Sequence, residues 1–159
     1  MTKLAGLLIC LTILTCRAPA FAQNEAQTLL DMHNAYRARH CAPPLTWSTQ
    51  IAAEAQRWAN RCVTEHDPNN ELGENLAWGT VLPARQAVGL WYDEISEYNY
   101  KAPGFDNETG HFTQVIWRDS KQIGCGRAMC RGETMWVCRY SPPGNVEDEY
   151  RANVLPVCR

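Results

Sequence analysis

The chain has 159 residues, of which 45% are hydrophobic, and its 15 basic and 17 acidic side chains give a formal net charge of −2. This length is enough for one domain with a hydrophobic core. The slightly acidic balance gives no electrostatic reason to bind nucleic acid or an anionic membrane surface, so neither is expected as a partner.

The first 22 residues have the pattern of an export signal. Lys3 is followed by an apolar stretch from Leu4 to Thr15, and Ala20-Phe21-Ala22 is the small-x-small pattern that signal peptidases cut after. The apolar stretch is too short to span a bilayer, and a buried N-terminal helix or a lipoprotein anchor fits the pattern less well. We predict a signal peptide over residues 1–22 and one mature domain over 23–159, exported to the extracellular space or, alternatively, to a bacterial periplasm.

Removing the predicted signal changes both the charge and the cysteine count. The signal contains Lys3 and Arg17 and no acidic residue, so 13 basic and 17 acidic residues remain and the net charge becomes −4. The signal also contains Cys10 and Cys16, which leaves six of the eight cysteines. An even number of cysteines in an exported chain is typical of a disulfide framework, although spacing alone does not decide the pairing.

Apolar spacing predicts three amphipathic helices. The first runs from about Ala26 to Arg39, before the prolines at 43 and 44. The second begins near Ser48 or Thr49, either of which could cap it, and the third begins at Pro83. The predicted buried stripes are Leu29, Met32, His33 and Tyr36, then Ile51, Ala52, Ala55, Trp58 and Ala59, then Ala84, Ala87, Val88, Trp91 and Ile95.

Loops, a short helical piece and a hairpin are predicted for the rest of the chain. The predicted segments are loops over 62–79 and 98–110, a helical piece over 112–117, and strands over 122–129 and 134–140. The turn of the hairpin is placed at Arg131-Gly132-Glu133. Three helices followed by an antiparallel pair of strands indicate an α+β domain whose helices cover the sheet.

Four side chains could carry chemistry. Glu94 falls three residues after Trp91 and so on the apolar face of the third helix, where a carboxylate needs donors or a counter-charge, unless it reaches water at the edge of that face. His66, Glu74 and His111 lie in polar or glycine-rich segments. Two histidines and two acids could form a metal site or an acid–base pair, but the residues alone favour separate structural or surface roles.

Motifs for nucleophilic catalysis are missing from the sequence. It contains no Gly-x-Ser-x-Gly, no His-Glu-x-x-His and no glycine-rich phosphate loop, and the mature cysteines are expected to be paired. This argues against a standard hydrolase. His33 and His40, on or beside the first helix, are interpreted as structural residues.

Two motifs of the chain are Gly110-His-Phe-Thr-Gln-Val-Ile-Trp117 and Tyr140-Ser-Pro-Pro-Gly-Asn145. They resemble the signatures of the CAP superfamily, which includes cysteine-rich secretory proteins, venom antigen 5 and plant pathogenesis-related proteins of class one. Further motifs in the family's order are His33-Asn34-x-x-Arg37, Pro44-Leu-x-Trp47, Gly73-Glu-Asn-Leu-Ala77 and Trp91-Tyr-x-Glu94. The resemblance extends from about Leu29 to Pro156 and implies a disulfide-stapled three-layer α-β-α sandwich.

The resemblance also implies a site and a set of disulfides. The two histidines and two glutamates of the family's central cleft fall on His66, Glu74, Glu94 and His111, where several relatives bind a divalent metal, often zinc. Two histidines leave open coordination positions, so the metal is expected to be weakly held. The implied disulfides are Cys62–Cys130 and Cys125–Cys138, which leaves Cys41–Cys158 as the third.

Three functions are weighed on this basis. In a secreted carrier of sterols or fatty acids, Tyr98, Tyr100 and Phe105 would form an aromatic binding loop, although these rings could equally pack the loop onto the domain. A metal-dependent hydrolase with Glu74 or Glu94 as its base is less favoured, and no catalytic residue is otherwise assigned. The third alternative is a protein-interaction module in defence or host interaction. A monomer is expected, and Asn107-Glu-Thr109 is a glycosylation acceptor only on a eukaryotic secretory route.

Overall fold

The structure is a computed structural model that describes residues 20–158, with side chains from Asn24 onward. Its elements in chain order are α1 (Ala20–Arg39), β1 (Thr46–Trp47), α2 (Thr49–Ala59), β2 (Gly73–Gly79), α3 (Ala84–Asp93), a 3₁₀ turn (Glu94–Ser96), α4 (Gly110–Ile116), β3 (Gln122–Cys130), β4 (Glu133–Ser141) and α5 (Tyr150–Asn153). The predicted signal peptide lies almost wholly outside the described residues and stays a prediction. Between residues 20 and 158, no helix has the length and apolar character needed to cross a membrane.

One mixed sheet forms the middle layer, with the strand order β1-β3-β4-β2. Strand β4 pairs antiparallel with β3 and β2, and β1 pairs parallel with β3. Helix α2 packs on one face of the sheet, and α1, α3 and α4 cover the other. The fold is therefore the expected α-β-α sandwich, and it carries the disulfides Cys41–Cys158, Cys62–Cys130 and Cys125–Cys138.

The loop predicted over residues 62–79 is wrong at its end, because Gly73–Gly79 forms strand β2. Its seven residues pair in register with β4, from Gly73 opposite Tyr140 to Gly79 opposite Thr134. The segment is bounded by glycines and contains Glu74 and Asn75, residue types depleted in strands, so local propensity did not indicate it. Tertiary pairing with β4 stabilises the strand instead.

Helix α2 lies unusually close to β3, because two glycines of the strand face it. A Cβ atom on Gly124 would be 2.1 Å from the backbone nitrogen of Ala52, and one on Gly126 would be 2.3 Å from the Cα of Gln56. Ser48 caps the helix as predicted, since its hydroxyl accepts a hydrogen bond from the backbone of Ile51 at 3.3 Å. The glycines therefore set the spacing between the helix and the sheet.

The outer edge of β3 extends beyond its two-residue partner β1. At this edge the side-chain amide of Gln56 donates from Nε2 to the Arg127 carbonyl at 2.7 Å and accepts from the Arg127 backbone N–H at 2.9 Å. Both backbone groups of Arg127 that point away from the sheet are therefore satisfied by one side chain of α2.

Arg37 of α1 is fully buried and is held by backbone carbonyls. Its guanidinium donates to the carbonyl oxygens of Pro43, Val115, Trp117, Arg118 and Ser120 at 2.7 to 3.3 Å. No carboxylate among the described residues forms an ion pair with it. Burial lowers the pKa of Arg37 to about 10, so the side chain stays charged at neutral pH.

Two buried histidines support the same layer, as their structural interpretation predicted. His33 contacts the Leu29 carbonyl and the Tyr140 hydroxyl, each at 2.8 Å, and His40 contacts the Leu155 carbonyl at 2.6 Å and the Tyr92 hydroxyl at 2.9 Å. Burial lowers the pKa of His33 to about 4, against a smaller opposing effect of the Leu29 carbonyl. Burial also lowers the pKa of His40.

The fold should therefore lose stability in mild acid. The pKa of His33 is about 4 in the folded chain and 6.5 when unfolded, so its contribution is complete above pH 6.5 and is lost as the pH falls toward 4. The difference corresponds to roughly 3 kcal/mol. The free energy of urea unfolding should fall between pH 7.5 and pH 4. We expect this fall to be larger in the native chain than in a His33→Phe variant, by that same amount. Equal drops in both chains would contradict this assignment.

Candidate functional site

The first predicted pair joins the loop after α2 to strand β2. Nδ1 of His66 lies 3.0 Å from Oε1 of Glu74, and the same oxygen accepts the backbone N–H of Asp67 at 3.1 Å. The side chain of Glu74 is only 3% exposed, whereas that of His66 is 63% exposed. A buried carboxylate therefore orients an imidazole whose other edge faces solvent.

Arg139 completes this pair and was not predicted. Its Nε donates to Oε2 of Glu74 at 2.9 Å and its Nη2 donates to Oδ2 of Asp67 at 2.7 Å. The hydrogen bond from Arg139 is the main reason that the pKa of Asp67 is lowered. A signal for it exists in the sequence, because Arg139 alternates with the buried Met135 and Val137 on the face of β4 toward α2. A charged residue in that series needs buried partners.

The second predicted pair lies at the start of α4. Nδ1 of His111 lies 2.6 Å from Oε1 of Glu94, whose Oε2 accepts the backbone N–H groups of His111 and Phe112 at 3.0 Å each. Helix α3 ends one residue before Glu94, which is its C-cap and begins the 3₁₀ turn. Glu94 still lies on the side of Trp91, as predicted, because both contact His111. Its partly buried charge is satisfied by the first amides of α4 and by the histidine.

The two CAP signatures contact each other beside these pairs. Asn145 donates to the Gly110 carbonyl at 2.9 Å and accepts from the Thr113 hydroxyl at 2.5 Å, and Gln114 accepts the backbone N–H of Gly144 at 2.9 Å. A small cavity of about 250 Å³ lies here and is lined by His66, Asp67, Glu74, Gln114, Gly144 and Asn145, among others. Through Asn145, this cavity reaches the end of α4 that carries His111.

The four predicted residues form two hydrogen-bonded pairs, His66 with Glu74 and His111 with Glu94. Among the described residues, no group of three or more histidine, cysteine or acidic side chains is arranged to hold a metal ion. Both histidines use Nδ1 for a carboxylate, and neither Nε2 has a hydrogen-bond partner within the described part of the chain. Their donor chemistry fits a metal, since a carboxylate on Nδ1 is the usual support of a metal-binding imidazole.

Two larger cavities lie beside α2. One, of about 650 Å³, is a polar cleft between α2 and residues 67–72. The other, of about 600 Å³, is a groove between α1, α2 and the outer edge of β3, and we call it the edge groove. Its apolar lining comprises Ala26, Leu29, Leu30, Trp47, Ala52, Ala53 and Trp136. Sequence reasoning missed the edge groove, because its walls are far apart along the chain.

The predicted aromatic loop packs mainly inward. The ring of Tyr98 is buried, with its centroid 5.6 Å from that of Phe112, and Tyr100 lies edge-on to Tyr98 at 4.8 Å. Phe105 is 58% exposed. None of the three cavities described above is lined by these rings. Burial raises the pKa of Tyr100 to about 12, and its hydroxyl has no partner among the described residues.

Comparison with known proteins decides the family, because the model of the cysteine-rich secretory protein (CAP) family matches residues 30–140. The chain belongs to the CAP family. It is 38% identical over 139 residues to the Golgi-associated plant pathogenesis-related protein 1 of Homo sapiens, which covers 80% of this chain and 90% of that protein. It is 43% identical over 136 residues to pathogenesis-related protein 1C of Nicotiana tabacum, which covers 79% of each.

The CAP fold is also found among solved structures. The structure of NaASP2 with Zn²⁺ matches with a TM-score of 0.71 and 24% identity, covering 86% of this chain and 87% of that one, which is a likeness of fold. The two named sequence relatives are eukaryotic, so they give no support to the periplasmic alternative. This CAP chain is therefore of the pathogenesis-related type in sequence and fold.

Proposed function

We propose that this CAP protein is an exported carrier of a small lipid, a sterol or a fatty acid, which binds in the edge groove. The groove supports the proposal by its size, since about 600 Å³ falls within the range of small-molecule sites. Its lining supports it as well, because most of the side chains that enclose it are apolar. Transfer of a hydrocarbon from water to such a surface is favourable.

The polar residues that line the edge groove would suit the head of a lipid. Glu25 and Arg127 form an ion pair there at 2.5 Å, and Gln27 and Gln56 add amide groups. A carboxylate or hydroxyl on the ligand could hydrogen-bond to these groups while its hydrocarbon lies against Leu30 and its apolar neighbours. One polar end and one apolar body therefore define the class of ligand.

The aromatic loop supports lipid binding less well than the groove does. Tyr98 and Tyr100 already pack against the domain, which leaves Phe105 as the exposed ring of the three. Lipid contact at Phe105 would bury one aromatic ring, whereas the edge groove offers a ligand apolar side chains from α1, α2 and the sheet. The loop is the second place at which we would look for the ligand.

A charged side chain placed in the groove should abolish tight binding. We expect saturable binding of dansyl-undecanoic acid or dehydroergosterol to the mature, oxidised protein, measured by fluorescence titration. An Ala53→Glu variant should bind at least about tenfold more weakly, because its carboxylate would lose water on contact with the hydrocarbon. An Ala35→Glu variant, also on an exposed helix surface but outside the groove, should bind normally.

The binding measurements distinguish the edge groove from the aromatic loop as the lipid site. Equal affinity of the Ala53→Glu and native proteins would rule out the edge groove. If affinity fell only in a Phe105→Ser variant, the loop would be the site. No saturation by either probe would remove the carrier function and leave the fold without an assigned ligand.

We propose in addition that His66 and His111 bind a divalent cation of the zinc type through Nε2. The support is that both rings leave Nε2 open while Nδ1 contacts Glu74 or Glu94. The carboxylates would hold each ring in its orientation and make it a better donor. A cation bound by these two histidines would supply a Lewis acid there. The hydrolase alternative depends on it and stays a prediction.

Removing an orienting carboxylate should weaken the metal site without removing a ligand. We expect weak Zn²⁺ binding by isothermal titration calorimetry, lost in His66→Ala and His111→Ala variants. Binding should weaken by about 10- to 100-fold in Glu74→Gln, since the amide no longer favours the required tautomer. The control is an Asp31→Asn variant, because Asp31 is an exposed carboxylate on α1 that belongs to neither histidine–glutamate pair. Unchanged binding in the double histidine variant would exclude this site.

A further inference from the structure

The polar cleft beside α2 is separate from the edge groove. Its volume of about 650 Å³ falls within the range of small-molecule sites. One side of α2 lines the cleft from Gln50 to Trp58, which is about 12 Å along a helix, and a different side of α2 lines the edge groove. None of the described residues lines both cavities. The cleft therefore extends along the helix and is independent of the proposed lipid site.

The wall of the cleft opposite α2 is a loop, residues 67–72, that is held by its own side chains. Oδ1 of Asp67 accepts the backbone N–H of Asn69 at 3.1 Å. The side-chain amide of Asn70 donates to the Leu72 carbonyl at 2.6 Å and accepts its backbone N–H at 3.2 Å. Arg139 of β4 holds the start of the loop through Asp67. Because the wall is already ordered, a ligand would not have to order it on binding.

One nitrogen of Arg139 opens into this cleft without a partner. The side chain is only 6% exposed, and its Nε and Nη2 donate to Glu74 and Asp67. Nη1 has no hydrogen-bond partner among the described residues, yet it is not one of their fully buried unpaired atoms, so it keeps contact with solvent. Arg139 lines the polar cleft and does not line the small cavity beside His66. The free donors of this buried guanidinium therefore face the polar cleft, where an acceptor atom of a ligand would satisfy them.

Further polar side chains along the cleft also have no partner. Six of them form no hydrogen bond or ion pair with the described part of the chain, namely Gln50, Glu54, Arg57, Asn69, Glu71 and Gln122. They comprise three amides, two carboxylates and one guanidinium. The cleft therefore offers a ligand both hydrogen-bond donors and hydrogen-bond acceptors.

The charges that line the cleft cancel. Its lining contains three basic and three acidic side chains, namely Arg57, Arg61, Arg139, Glu54, Asp67 and Glu71. The two signs are close together, since the pKa of Asp67 is lowered first by the hydrogen bond from Arg139 and, to a smaller extent, by the charge of Arg61. A lining without net charge gives no electrostatic advantage to a strongly charged ligand. The ligand that fits is therefore neutral and rich in hydrogen-bonding groups.

We propose that the polar cleft binds a neutral oligosaccharide. Each sugar hydroxyl is both a donor and an acceptor, so a chain of sugars matches a long lining that offers both. Nη1 of Arg139 would donate to a sugar oxygen, and the carboxylates of Glu54 and Glu71 would accept from sugar hydroxyls. Hydrogen bonds to such charged groups are stronger than those between neutral ones. Ile51 and Trp58 would contact the carbon atoms of a sugar ring, whereas a hydrocarbon would leave the polar lining without partners.

The test uses two neutral hexasaccharides, laminarihexaose and chitohexaose, with the mature, oxidised protein. Isothermal titration calorimetry is carried out with EDTA present, so that the result does not depend on a metal at the histidines. We expect saturable binding of at least one hexasaccharide. The variant Glu54→Ala/Glu71→Ala should raise its Kd at least about tenfold, because two charged acceptors are lost. Arg139→Lys should have a similar effect, since lysine keeps the charge but lacks the second arm of the guanidinium.

A matched control removes two glutamates outside the cleft. The variant Glu133→Ala/Glu147→Ala changes the net charge by the same amount at exposed positions and should bind the hexasaccharide normally. An equal loss of affinity in both double variants would overturn the proposal, as would the absence of binding at millimolar concentrations of both sugars. A sulfated heparin hexasaccharide provides the last comparison. If it alone bound, and only at low salt, the cleft would be an anion site and the proposal would be wrong.

Discussion

Replacing Arg37 by methionine is expected to lower the free energy of unfolding by about 4 kcal/mol, a large part of the stability of a domain of this size. The variant would remove the guanidinium donors from five carbonyl oxygens, of which that of Trp117 still accepts the backbone N–H of Ser120. Each unsatisfied group costs roughly 1–3 kcal/mol. Part of that cost is offset, because the variant also removes a buried charge whose desolvation was unfavourable.

Urea unfolding at pH 7, followed by far-UV circular dichroism with the disulfides intact, measures this difference. Arg37→Lys is the informative companion, because an ammonium keeps the charge but cannot reach all five carbonyls with its three donors. We expect it to lose roughly half as much as the methionine variant. A loss below about 1 kcal/mol for Arg37→Met would mean that water or neighbouring groups replace the guanidinium.

Adding a single methyl group at Gly126 is expected to destabilise the fold by roughly 4 kcal/mol, at the upper end for overpacking. The new Cβ would lie 2.3 Å from the Cα and 2.4 Å from the backbone nitrogen of Gln56. Because both obstacles are backbone atoms, no side-chain rotation can relieve the clash. Helix α2 would have to move away from β3, and the buried contacts of Ala55 and Trp58 would loosen with it.

Gly104 provides the matched control for that substitution. A Cβ atom there would meet no other atom within 4 Å, so Gly104→Ala should change the free energy of unfolding by less than about 0.5 kcal/mol, or raise it slightly by restricting the unfolded chain. The two variants differ only in position and can be compared in one urea series. Similar stabilities would show that α2 can shift from the sheet at little cost.

The helices could be predicted from the sequence because their apolar spacing is a local property. Ser48 caps α2 and Pro83 precedes α3, as predicted, and the hairpin turn falls at Arg131 and Gly132, both of which have a positive φ. Strand β2 could not be predicted in this way. Its residues favour a loop locally, and only β4, about sixty residues later, makes it a strand.

The candidate site was predicted in part. His66, Glu74, Glu94 and His111 were named from the family resemblance, and their contacts as two separate pairs are a property of the fold. Arg139 was overlooked because a strand was judged by its apolar residues alone. The edge groove combines residues of α1, α2 and the edge of β3, so no local pattern could indicate it.

The contact between Gln56 and Arg127 has a consequence for how molecules of this protein meet. On this side of the sheet, a strand from another molecule could extend it only by bonding to free backbone groups of β3. The amide of Gln56 already occupies those of Arg127, and β1 occupies the start of the strand. The sheet is thereby blocked to further strands at these positions of the edge, which hinders edge-to-edge association of two molecules there.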